Sequence, residues 1–403
     1  MNPNTSFIPF SRPSIGPEEE QAVLRVLRSG WLTTAEETLA FEKEFAAAMH
    51  TRHAVAVNSA TAGLHLALES AGIQPGDLVA MSPYTFASTA EVVRYLGAHP
   101  LFVDIEEDGY NIDPEKLEKT LERTQRTQGA RPPRAVVPVH IAGEPCRMEE
   151  ISEIAARHEL SIISDAAHTL ATAEGVPVGT EGDAAVFSFY ATKPITTGEG
   201  GMVVTDRDDM ADRIRLMRLH GIDRDVWNRY TSAAAGWAYS VVEAGYKYNM
   251  TDLAAAIGRV QLARNGELHR RRREIAGYYR EALGGLPYLR MPREHPLHCY
   301  HLFIVEIDET HLSVDRDGFI EELRGEGIGA SVHFIPLHVM PYYRDLYGFT
   351  ERDFPVSWNR FLRSMSLPLY PRLSDAEVQR VVDAVRSVGD RRYRGHGTSG
   401  DTG

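Results

Sequence analysis

The chain is poor in cysteine, with only Cys146 and Cys299 among 403 residues. Two thiols so far apart give no disulfide framework, and a reducing, cytoplasmic setting is expected. No apolar run approaches the length that spans a bilayer, so no membrane partner is expected. The opening stretch, MNPNTSFIPFSRPSIG, lacks the basic segment and apolar centre of a secretion signal. Positive charge is in deficit: 43 Lys and Arg against 56 Asp and Glu leave a net charge of −13. That balance argues against a nucleic-acid groove, although local cationic sites can still hold an anionic substrate. There is no internal repeat. No pair among the 16 histidines and the acids has ligand spacing on a shared element, so no metal site is expected.

What the chain has is ordinary globular composition, 43% hydrophobic and 25% charged, and enough length for one large domain and a smaller one. Residues 1–14, with Pro9 and Pro13, read as an extended N-terminal arm. Residues 15–255 read as the large domain, 256–390 as a smaller α+β domain, and 391–403, rich in Gly and Ser, as a disordered tail. Strands are expected at 53–58, 77–82, 101–104, 135–140, 160–163, 184–189 and 201–205, with helices between most of them. That alternation implies an α/β fold whose mostly parallel sheet is covered on both faces. Residues 221–246, rich in Trp, Tyr and Ala, form an irregular connection of functional or interfacial length. From 252 to about 282 the pattern reads as one long helix. Its basic cluster, Arg270–Arg273, reads as surface solvation in preference to a phosphate site.

Chemistry concentrates between Ser161 and Gly201. One apolar run ends at Asp165; the next leads to Lys193 and the flexible TGEGG that follows it. An acid at one strand's carboxyl end and a lysine just past the next share the sheet edge where ligand crevices form. A lysine that forms Schiff bases needs a site that destabilises its ammonium. Asn58-Ser59-Ala60-Thr61-Ala62-Gly63 turns a strand directly into a helix. It is either an anion site at a helix start or a plain cap by Ser59 or Thr61. Taken together, the three features suit pyridoxal 5'-phosphate (PLP), which needs an amine, an anion near its pyridine nitrogen and a phosphate cradle.

Several segments in fixed order carry a resemblance: SGWLTT, SATAGLHLAL, PYTFAST, GAHPLFVDI, PVHIAG, SDAAH, FSFYATKPITTGEGGMVVTD, GYKYNMTDLAAAIGRVQL and LPLYP. Over about residues 7–387 the chain resembles the DegT/DnrJ/EryC1/StrS sugar aminotransferases, PLP enzymes of fold type I. HLFIVEID, GIGASVHF, YYRD and GYKYNMTD look closest to members that make UDP-4-amino-4-deoxy-L-arabinose. The resemblance implies that Lys193 is the catalytic lysine that binds PLP and moves the substrate proton. Asp165 would pair with the pyridine nitrogen, His168 would lie by the ring's phenolic oxygen, and Phe86 would stack on the ring. The amides of Ala60 and Thr61, with the Ser188 hydroxyl, would hold the phosphate. A homodimer would share its active sites, with Lys247 or Asn249 reaching a neighbour's phosphate. Trp31, Thr33, Tyr84, His333 and His338 would border the sugar; a structural role for either histidine is the alternative.

The implied reaction moves an amino group from L-glutamate, released as 2-oxoglutarate, to the 4-ketone of a nucleotide-linked sugar. A 3-ketosugar aminotransferase is the alternative. Related dehydratases carry His in place of the lysine, which Lys193 argues against. A regulatory protein on this fold would need an added DNA-binding helix pair, and none is evident.

Overall fold

The computed structural model describes residues 7–126, 131–223 and 239–394. Its larger sheet has seven strands: β1 His53–Val57, β2 Leu78–Met81, β3 His99–Phe102, β4 Pro133–Val137, β5 Ser161–Asp165, β6 Ala184–Ser188 and β7 Gly201–Thr205. Their spatial order is β1-β7-β6-β5-β4-β2-β3. Neighbours from β6 through β3 run parallel, and β7 runs antiparallel to both β6 and β1. All strands except β7 therefore end at one edge of the sheet. β7 begins there.

Helices cover both faces, which is why the inner strands read as continuous apolar runs rather than alternating ones. The helix Ala60–Ser70 is buried from Ala62 through Leu68. It lies so close to the sheet that a Cβ on Gly63 would stand 2.7 Å from Val186 Cγ1. On the other face Phe41, Phe45, Phe187 and Phe189 pack together.

A second, antiparallel sheet has the order β10-β9-β8, from Ser364–Leu367, Phe303–Ile307 and Leu289–Arg290. The helices Asn265–Leu283, Arg316–Gly325 and Asp375–Arg392 pack with it around Tyr279, Phe303, Phe319 and Val385. The architecture is the α/β class expected, with a smaller α+β unit. The N-terminal arm joins this second core. Ile8 N–H donates to Gly327 O at 2.9 Å, Gly329 N–H donates to Ile8 O at 2.8 Å, and the Ile8 side chain is fully buried.

Three expectations need correction. The single helix from 252 to about 282 is two, Asp252–Ala263 and Asn265–Leu283. The break falls at Arg264, just before Asn265, whose side-chain amide donates to Ala171 O at 2.7 Å. The basic cluster is not wholly solvated: Arg272 is buried and donates to Pro194 O at 2.9 Å. Helical spacing puts it on the face of Leu268 and Ile275 rather than with the exposed Arg273. Order also persists past 391. The last helix runs to Arg392, and Tyr393 bridges to Leu312.

Candidate active site

The site is built at the edge where the parallel strands end. β1 gives way to Ser59, which caps the helix Ala60–Ser70; its hydroxyl accepts from Ala62 N–H at 3.1 Å. The amides of Ala60 and Thr61 open that helix, where the partial positive charge of a helix start favours an anion. Gly201, at the start of β7, lets the chains approach: a Cβ there would lie 2.7 Å from Ala60 N. The cap reading and the anion reading are thus compatible, because the cap uses a different amide.

A cavity of about 450 Å³ opens beside this turn. Ala60, Thr61, Phe86, Asp165, His168, Ser188, Lys193 and His333 all line it. Residues from three strand ends, the turn after β6 and the 331–334 segment thus meet in one place.

Asp165, the last residue of β5, is 4% exposed. Thr89 O–H donates to its Oδ2 at 2.8 Å, and Ala167 N–H to its Oδ1 at 3.2 Å. Burial pushes the carboxyl's pKa up, while those two donors and the Lys193 cation pull it back. Lys193 closes a turn through its amide to Tyr190 O at 2.9 Å. Burial brings its ammonium down to about 8, against the pull of Asp165. A lysine in that range is neutral often enough near pH 7 to act as a nucleophile and base.

His168 is held by a donor from the backbone. Ala142 N–H donates to its Nδ1 at 3.1 Å, and burial keeps the ring neutral. A neutral imidazole that accepts at Nδ1 carries its proton at Nε2. His333 contacts Ser366 Oγ through Nδ1 at 2.9 Å, and burial lowers its pKa to about 4. Phe86 is 62% exposed and stands 6.1 Å, centre to centre, from Phe334.

Other expected site residues lie elsewhere. Tyr84 is fully buried beneath the cavity rather than in its wall, and its hydroxyl donates to His333 O at 2.8 Å. It supports His333 instead of facing a ligand. His338 is fully buried against Phe354, 4.9 Å between centres, and does not line the cavity. The turn after Pro336 sends it into the core formed with the 351–354 segment. Trp31 and Thr33 are exposed outside this cavity. Lys247 Nζ contacts Asn249 Oδ1, and Asn249 Nδ2 donates to Thr34 Oγ1 at 2.7 Å; neither residue lines the cavity.

His301 and Phe10 are among the wall residues that were not anticipated. His301 is 6% exposed, and its ring centre lies 4.4 Å from that of His168. Phe10, from the arm, stands 5.1 Å from the His333 ring and lines the cavity. A histidine opening the apolar run HLFIVEID was the available signal for His301. Nothing in the local sequence marks Phe10.

The donor set fits PLP. Helix-start amides and a serine hydroxyl suit a phosphate, a buried carboxylate suits a pyridinium, and a lysine of lowered pKa suits a carbonyl carbon. Among the described residues no three His, Cys, Asp or Glu side chains group to hold a metal ion. No helix among them is long and apolar enough to cross a membrane.

Comparison with known proteins agrees. The chain is 48% identical over 386 residues to the spore coat polysaccharide biosynthesis protein SpsC of Bacillus subtilis, covering 95% of this chain and 97% of that one. The PLP-form structure of the putative sugar aminotransferase Spr1654 from Streptococcus pneumoniae superposes with a TM-score of 0.86 at 31% identity, covering 96% of this chain and 99% of that one. The structure of DesI in the presence of its TDP-sugar product superposes with a TM-score of 0.81 at 32% identity, covering 96% and 94%. The DegT/DnrJ/EryC1/StrS aminotransferase family matches residues 13–386, and the chain belongs to that family of PLP-dependent sugar aminotransferases.

Proposed function

We propose that the protein transfers the amino group of L-glutamate to the 4-ketone of a nucleotide-linked sugar, working as a homodimer in aminosugar biosynthesis. The observation that carries the reading is Lys193, its pKa brought to about 8, in one cavity with the buried Asp165. The likeness to a spore coat polysaccharide protein and to DesI supports the sugar-nucleotide class.

Bound PLP supplies an electrophilic carbon for amines and a ring that spreads the electron pair left when a C–H proton departs. The chain's own groups do the rest. Ser188 Oγ and the amides of Ala60 and Thr61 hold the phosphate. Asp165 keeps a proton on the ring nitrogen. His168 offers Nε2–H to the neighbouring oxygen, because its Nδ1 is taken by Ala142 N–H. Phe86 covers a ring face. Lys193 Nζ removes the proton from the α-carbon of glutamate and, in the second half-reaction, delivers one to the sugar carbon. Half-reactions that share one amino-group carrier give ping-pong kinetics.

Trp31, Thr33, Lys247 and Asn249 are assigned to the neighbouring subunit's cavity. The exposed Leu24, Leu27, Trp31 and Leu32 supply apolar surface for that dimer. His333 is assigned to the sugar side.

The test is an assay of UDP-, dTDP- and GDP-linked 4-ketosugars, with glutamate, against matched 3-ketosugars. Amination of a 4-ketosugar in preference to its 3-keto isomer supports the reading; amination of 3-ketosugars alone overturns it.

A further inference from the structure

The two threonines of the PYTFAST stretch share one chain of hydrogen bonds with Asp165. Thr89 sits in the first turn of the helix Ala87–Tyr95 and is fully buried. Its Oγ1 lies 2.8 Å from Asp165 Oδ2 and 2.9 Å from Thr85 Oγ1. Thr85 is 1% exposed and lines the cavity.

The direction of this chain follows from proton counting. An ionised carboxylate only accepts, so the Thr89 hydroxyl hydrogen must point to Asp165. Thr89 then has no hydrogen left to give, so Thr85 must donate to Thr89. With Ala167 N–H on Oδ1, each oxygen of Asp165 is held by one donor, and the remaining lone pairs are free for the cavity. A hydroxyl that itself receives a hydrogen bond is a stronger donor.

We propose that Thr89, reinforced by Thr85, is a positioning residue: the relay Thr85→Thr89→Asp165 keeps the carboxylate ionised and aimed at the PLP ring nitrogen. Among the described residues, Lys193 is the cation that acts on Asp165, and it is the residue the reaction must deprotonate. Neutral donors solve that problem. They favour the charged carboxylate without adding a positive charge that would compete with the pyridinium. The inference rests on Asp165 facing the ring nitrogen.

The test uses holoenzyme carrying ring-15N-labelled PLP, with Thr89→Val, Thr89→Ser and Asp165→Asn side by side. Valine keeps the shape and loses the donor; serine keeps the donor. The expected result for T89V is loss of the protonated ring-nitrogen signal. Its kcat in the glutamate half-reaction should fall about tenfold to hundredfold with KM near the parent's, the range for a lost partner of a charged group. T89S should restore both. If T89V does not fold, Thr85→Val takes its place, with the same direction and smaller size expected. A parent-like ring-nitrogen signal and rate in the valine variants overturn the relay, as does a serine variant that falls as far as valine. If those variants are normal while D165N loses the signal, the relay fails and the Asp165 assignment stands; if D165N keeps the signal, that assignment fails.

Discussion

Lys193 makes the cofactor-free protein less stable than its sequence needs to be, and the amount can be worked out. An ordinary lysine titrates at 10.5, and this one at about 8, a value that already includes the attraction of Asp165. At about 1.4 kcal/mol per tenfold, the gap corresponds to about 3 kcal/mol against folding. At pH 7, below both values, folded and unfolded chains both hold the proton, and the folded state carries the whole cost of a desolvated cation. As pH rises through 8 the folded lysine gives up its proton and the cost fades; above 10.5 it is gone. Lys193→Met keeps the volume and removes the cation. Cofactor-free K193M should therefore be more stable than the parent at pH 7 by up to about 3 kcal/mol. For a chain of this length that is a rise in Tm of about 3–4 °C. The difference should narrow between pH 8 and 10.5, and the variant should not transaminate. Urea unfolding and calorimetry of PLP-stripped proteins at pH 7 and pH 10 make the comparison. A variant no more stable than the parent at pH 7, or an advantage that does not change with pH, refutes the reasoning.

Other substitutions test the cradle and its support. Gly201→Ala drives a Cβ to 2.7 Å from Ala60 N, so the helix start must shift; equilibrium dialysis should show weakened PLP binding. Ser188→Ala removes one hydroxyl from the cavity; with the phosphate role proposed for it, the variant should bind PLP about tenfold more weakly by the same measurement, the worth of one hydrogen bond to a charged group.

Much of the site could be read from residue order. β5 and β6 are buried on both faces, so their apolar runs stood out, and Asp165 and Lys193 could be placed at one edge from the strands alone. The helix start at Ala60 was visible for a similar reason, since small residues directly after a strand leave few other geometries. What stayed hidden depends on contacts between distant segments. Arg272 looked like one of four surface arginines because its burial depends on Pro194, 78 residues earlier. Tyr84 and His338 sit in segments that border the cavity, but their side chains turn into the core, a choice made by Ser82, His333 and Phe354 rather than by their neighbours in sequence. Phe10 reaches the site only because Ile8 is pinned to the 327–329 segment. The break at Arg264 stayed hidden, because apolar periodicity continues on both sides of it.

The most direct test of the central claim is a two-step, single-turnover experiment on purified holoenzyme. Glutamate is added first without any sugar, and the visible band of Lys193-linked PLP is followed alongside 2-oxoglutarate. A nucleotide-linked 4-ketosugar is added next. Glutamate should bleach the band with one 2-oxoglutarate per active site, and the 4-ketosugar should restore the band as the aminosugar forms. A band that glutamate leaves untouched, or one restored by 3-ketosugars and not by 4-ketosugars, contradicts that claim.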